Sequence, residues 1–70
     1  MAANGGIENN IRRLRFAHGE ITQQELAERV GVTRQTIIAL EACRYAPSLP
    51  LAVRIARVFG VGIEEVFKID

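Results

Sequence analysis

Arg34, Gln35 and Thr36 follow Thr33 without a break, and their side chains carry hydrogen-bonding groups of defined shape. A guanidinium offers a fork of donors that fits the two acceptors on a guanine edge. A carboxamide pairs one donor with one acceptor, as adenine demands, and a good contact of either kind discriminates between bases by roughly 1–3 kcal/mol. The Thr36 hydroxyl can bond a base, a phosphate or its own helix. Catalysis has much less to work with. His18 and Cys43 are the sole histidine and cysteine, so one chain can assemble neither a disulfide nor a Cys/His zinc site. The carboxylates are scattered and form no nucleophile, base or metal set, so no catalytic residue, metal or cofactor is expected, and no small-molecule ligand is evident. In isolation Arg34 and Gln35 would be ordinary solvated side chains. Their meaning depends on the elements that hold them.

The helix ends can be read directly. A first helix is expected from about Asn9 or Asn10 to His18, capped by asparagine and stopped by Gly19. Thr22 and Glu25 form a T-x-x-E capping box, with Ile21 and Leu26 at the spacing of a hydrophobic staple, so a second helix begins at Gln23. Leu26, Ala27 and Val30 then recur at helical intervals up to Gly31. Thr33 caps a third helix, and Val32 with Ile37 repeats the staple. Pro47 breaks the chain, Ser48 caps a fourth helix and Pro50 fits its first turn. The apolar stripe of that helix is expected to be Leu49, Ala52, Ile55, Ala56 and Phe59, ended by Gly60. A short fifth helix covers about Ile63 to Phe67. No segment alternates with period two, so the fold class is all-α, with five helices.

Residues 23–42 meet the steric demands of two helices crossing steeply over a short turn. Ala27 is small where the helices must approach, Gly31 supplies the turn, and Ile37 and Leu40 anchor the third helix by its inner face. This A-x3-G-x5-I-x2-L spacing is accompanied by Ile11-Arg12-Arg13-Leu14-Arg15, Thr22-Gln23-Gln24-Glu25-Leu26-Ala27, Gly31-Val32-Thr33-Arg34-Gln35-Thr36-Ile37 and Pro47-Ser48-Leu49. Together these segments resemble the phage repressor and Cro-like family of helix-turn-helix transcriptional regulators, also called the xenobiotic-response-element type, over roughly residues 9–67.

The resemblance implies a five-helix repressor-like domain that puts its third helix into the major groove of double-stranded DNA. It implies that Arg34, Gln35 and Thr36 face base edges and that Gln23 contacts a phosphate. It also implies that Arg15 and Glu41 form a structural ion pair between the first and third helices. Thr33, at a helix N-terminus, and Arg44 and Tyr45, in the loop after the third helix, are further candidates for the phosphate backbone. Two departures stand out. Relatives commonly have Asn-Gly where this chain has Ala42-Cys43, and a side chain in a left-handed cap costs on the order of 1 kcal/mol, which points to a different helix end. Ile38 and Ala39 replace residues that are often polar, so Ile38 either touches a thymine methyl or packs against neighbouring helices.

Seventy residues with 49% apolar and 24% charged content suit one small domain. Residues 1–8 are expected to be a flexible tail and residues 9–70 the DNA-binding domain. The net charge of +1 is a weak signal, but Arg12, Arg13, Arg15, Arg34 and Arg44 precede the acidic end Glu64, Glu65 and Asp70, which allows one basic face. Leu51, Val53 and Val58 fall off the main stripe. They suggest a homodimer through the fourth and fifth helices and Val66 to Ile69, reading a palindromic operator as a repressor. The start of the chain lacks signal-peptide character, and a single cysteine suits the cytoplasm. The competing class is an antitoxin-like or adaptor module whose apolar face holds another protein.

Overall fold

Five helices in chain order make up the fold: α1 (Ile11–Ala17), α2 (Gln23–Val30), α3 (Arg34–Glu41), α4 (Leu49–Phe59) and α5 (Ile63–Val66). The computed structural model describes residues 7–44 and 46–68. Among these no strand forms, and pairing is confined to one antiparallel bridge between Asn9 and Phe67.

Each long helix starts and stops for a local reason. The Thr22 hydroxyl accepts from the Glu25 amide at 3.0 Å, while the Glu25 carboxylate accepts from the Thr22 amide at 2.9 Å, completing the capping box. Ser48 Oγ accepts from the Leu51 amide at 3.3 Å and starts α4. Gly31 and Gly60, at φ +77° and +67°, end α2 and α4 in the left-handed region that a Cβ disfavours. At the end of α3 the same conformation falls on Cys43, at φ +58°. The Cys43 amide donates to Leu40 O and the Arg44 amide to Ala39 O, both at 3.0 Å, which is the two-bond pattern of a Schellman end. The different ending expected at Ala42-Cys43 is therefore corrected: the glycine-type end is kept, with a cysteine in the strained position.

The beginning of the chain also differs from expectation. Helix α1 starts at Ile11, and Asn10 makes no side-chain cap; its amide group crosses to Glu65 O at 3.0 Å. Asn9 caps from one residue earlier, accepting from the Ile11 amide at 3.2 Å. Ile7 and Glu8, read as tail from the sequence, make fold contacts: Ile7 packs against the core, and Glu8 O accepts from the Lys68 amide at 2.8 Å. Residues 1–6 lie outside the described residues.

The core lies where α2 packs against α3 and α4, and where α4 packs against α5. Leu26, Ala27, Ile37, Leu40, Ile55 and Val66 are fully enclosed. Burying an Ile or Leu side chain contributes about 1.5–3 kcal/mol, so Ile37 and Leu40 fix the inner face of α3 and with it the direction of the outer one. Two expectations for α4 are reversed. Leu51 belongs to the core, whereas Leu49 is 70% exposed. Leu49 sits at the first position of the helix, a turn too early to reach the core, and Leu51 takes the inward place. Val66 and Phe67, assigned to a dimer contact from the sequence, are likewise core residues.

Candidate nucleic-acid interface

The first turn of α3 projects Arg34 and Gln35 into solvent. Neither side chain makes a hydrogen bond or ion pair with any described residue, so their donors and acceptor are uncommitted. This follows from the register. Ile37 and Leu40 face inward, and Gln35, two places before Ile37, falls on the opposite side of a helix that turns every 3.6 residues; Arg34, at the first helical position, flanks the buried stripe and is exposed at the end of the helix. Ile38 and Ala39 are half-buried.

Thr33 and Thr36 form a local hydroxyl pair. Thr33 Oγ1 accepts from the Thr36 amide at 3.3 Å, and the two hydroxyl oxygens are 3.1 Å apart. Thr33 is thus both the cap of α3 and an exposed hydroxyl, and Thr36, half-buried, spends part of its capacity on Thr33. The amides of Arg34 and Gln35, like those of Gln23 and Gln24 at the start of α2, precede the first intrahelical acceptor and can serve an anion.

Behind this surface a carboxylate joins three helices. Arg15 Nε donates to Glu41 Oε2 at 2.7 Å and Arg15 Nη2 to Glu41 Oε1 at 3.0 Å, a two-pronged pair. Arg15 Nη1 donates to Ile21 O at 3.0 Å. The Arg15 and Glu41 side chains are 8% and 10% exposed, so the pair is nearly dry. Gln23 Nε2 also donates to Glu41 Oε1, at 3.2 Å. Sequence reading ties Gln23 to phosphate alone and misses this contact, because 18 residues separate the partners and no local pattern announces it. Asn9 was missed for the same reason: its Nδ2 donates to Leu40 O at 2.7 Å and ties the start of α1 to the end of α3.

Arg44 is exposed and unpaired among the described residues, directly after the left-handed turn at Cys43. Tyr45 lies outside the described residues. Arg12 and Arg13 are exposed on α1. His18 stacks at a tilt against Phe59, with ring centres 5.3 Å apart, and Cys43 is a free thiol. Among the described residues no cluster of His, Cys, Asp and Glu is arranged to hold a metal, and no helix is long and apolar enough to cross a membrane.

Comparison with known proteins agrees with this geometry. A family model described as helix-turn-helix matches residues 11–66. An uncharacterised helix-turn-helix-type transcriptional regulator of Methanothermobacter thermautotrophicus is 69% identical over 51 residues, 71% of this chain and 74% of that protein. Another such regulator, from Archaeoglobus fulgidus, is 58% identical over 64 residues, 91% of this chain and 89% of that one. Among solved structures, a hypothetical transcription factor from Neisseria superposes with a TM-score of 0.71 at 30% identity, over 80% of this chain and 63% of that one.

Proposed function

This chain belongs to the helix-turn-helix family of DNA-binding transcriptional regulators, and from that premise we propose that it is a repressor that reads a palindromic operator as a homodimer. In this reading α3 enters the major groove, Arg34 and Gln35 hydrogen-bond to guanine and adenine edges, and Thr36 adds a base contact. Gln23, Thr33, Arg44 and Tyr45 hold phosphates on either side, which sets the register in which the bases are read. Repression follows from occupancy: a duplex covered by the protein is closed to other proteins. The chemistry is binding alone, in the cytoplasm.

The observation that carries this reading is the uncommitted pair of side chains Arg34 and Gln35, exposed on the first turn of a helix whose inner residues Ile37 and Leu40 are completely enclosed. The dimer is supported by an apolar groove of about 230 Å³ lined by Ile7, Ala46, Pro47, Leu49 and Ile63, among others. With extents of 30 × 23 × 21 Å, two copies side by side can set their α3 helices about one DNA turn, roughly 34 Å, apart. Selection of bound duplexes from a random pool tests the whole reading. Recovery of an inverted repeat with guanine and adenine in each half-site supports it, and recovery of no preferred sequence refutes it.

A further inference from the structure

We propose that Glu41 is a positioning residue for the DNA-backbone contact of Gln23, holding the Gln23 carboxamide with its nitrogen fixed and one N–H free for a phosphate. The inference rests on the assignment of Gln23 to phosphate made above and adds how that contact is prepared.

The chemistry of the acceptor decides the orientation of the amide. A carboxylate only accepts, so the group 3.2 Å from Glu41 Oε1 must be the Gln23 nitrogen, and the carbonyl oxygen must turn away. The nitrogen bears two hydrogens. One is used by Glu41, and the other remains for an external acceptor. An untethered glutamine also populates the flipped amide, whose carbonyl oxygen would meet phosphate oxygens with like partial charge. A carboxylate this close to the contact would itself repel a phosphate. Arg15 removes that objection by engaging both oxygens of Glu41, so the set Arg15–Glu41–Gln23 presents a donor with no net charge behind it. The side-chain ordering that DNA binding would otherwise impose on Gln23 is completed in the free protein. Because Arg15 is on α1, Gln23 on α2 and Glu41 on α3, the set also fixes where the phosphate contact lies relative to the base-reading turn.

The test is a mutant cycle read as affinity for the duplex recovered from random-pool selection with the full chain. Gln23→Met keeps the shape and removes the donor; it should weaken binding roughly ten- to a hundredfold, as expected for one hydrogen bond to a charged group. The log–log salt slope should not change, because no cation is lost. The double replacement Arg15→Met with Glu41→Leu removes the tether without leaving a buried charge, so the fold should persist. It should weaken binding by a similar factor with Gln23 intact, and adding Gln23→Met to it should cost nothing more. Arg15→Met with Glu41→Met, which likewise leaves neither a carboxylate tether nor a buried charge, serves the same purpose, checked by thermal melting, if the first pair does not fold. Wild-type affinity in the untethered variants, or a full further loss on adding Gln23→Met, overturns the positioning role while leaving the phosphate contact standing. No effect of Gln23→Met in the otherwise unaltered chain overturns the phosphate contact itself, and the positioning role with it.

Discussion

Truncating Glu41 to alanine should bring this protein close to the limit of folding. The carboxylate accepts from Arg15 Nε, Arg15 Nη2 and Gln23 Nε2. Gln23 is half-buried and can turn to water after the change, but the Arg15 side chain is 8% exposed and cannot. It would keep only its bond to Ile21 O and remain a nearly buried cation with two unsatisfied donor directions. Hydrogen bonds to charged groups are worth about 1.5–3 kcal/mol each, and breaking a buried pair from one side typically costs about 3–5 kcal/mol. A 70-residue domain has about 4–10 kcal/mol in total, at roughly 0.05–0.15 kcal/mol per residue. The loss should therefore consume a third or more of the stability and lower the melting temperature by at least about 12 °C. Urea unfolding followed by far-ultraviolet circular dichroism measures it: the midpoint should fall with the slope unchanged. A midpoint equivalent to less than about 1 kcal/mol of loss would refute the claim that this pair clamps α1 to α3.

Other outcomes follow from the same geometry. Cys43→Gly should raise stability by about 0.5–1 kcal/mol in the same unfolding assay, since Cys43 holds φ +58° where glycine is unstrained, and a variant less stable than the parent would contradict the Schellman assignment. The carboxyl of Glu25 is held below the ordinary glutamate range, chiefly by its hydrogen bonds to the Thr22 amide and hydroxyl. A depressed folded-state pKa stabilises above the unfolded value, about pH 4.3, and that contribution is lost as pH falls through the lower folded value. Glu25→Gln should therefore flatten the acid limb of a stability-versus-pH curve while changing its shape little above pH 5. Arg44→Ala should weaken duplex binding uniformly across sequences and reduce the log–log salt slope by about one, as expected for one lost phosphate contact.

Much of the fold was legible because its determinants are local. The capping box at Thr22 and Glu25, the threonine and serine caps at Thr33 and Ser48, and the glycines at 31 and 60 each announce a helix end within four residues. The base-reading candidates Arg34, Gln35 and Thr36 were legible through the family resemblance of the local segment around them, and the cap at Thr33 sets them in the first turn of α3. What could not be read were contacts that span the chain. Nothing near Asn9 indicates that its amide will meet Leu40 O, 31 residues away, and a single bridge between Asn9 and Phe67 is too short to leave a period in the sequence. The exchange of Leu49 and Leu51 has a different origin: both are leucines within one helical turn, and only the packing of α4 decides which of them points inward. The end at Cys43 was misjudged because a strain of about 1 kcal/mol is smaller than the energy of the two Schellman hydrogen bonds together with the packing of α3.

The central claim is that Arg34 and Gln35 carry sequence discrimination while the rest of the fold holds them in place. The direct measurement is the ratio of affinities for the selected duplex and a random duplex at one stated salt concentration, for the parent chain and for Arg34→Ala combined with Gln35→Ala. Each lost base contact should remove about 1–3 kcal/mol of discrimination, so the ratio should fall by one to four orders of magnitude with an unchanged melting temperature and intact binding to random duplex apart from the loss of one cation. A double variant that folds and still prefers the selected duplex by the parental ratio would contradict the account.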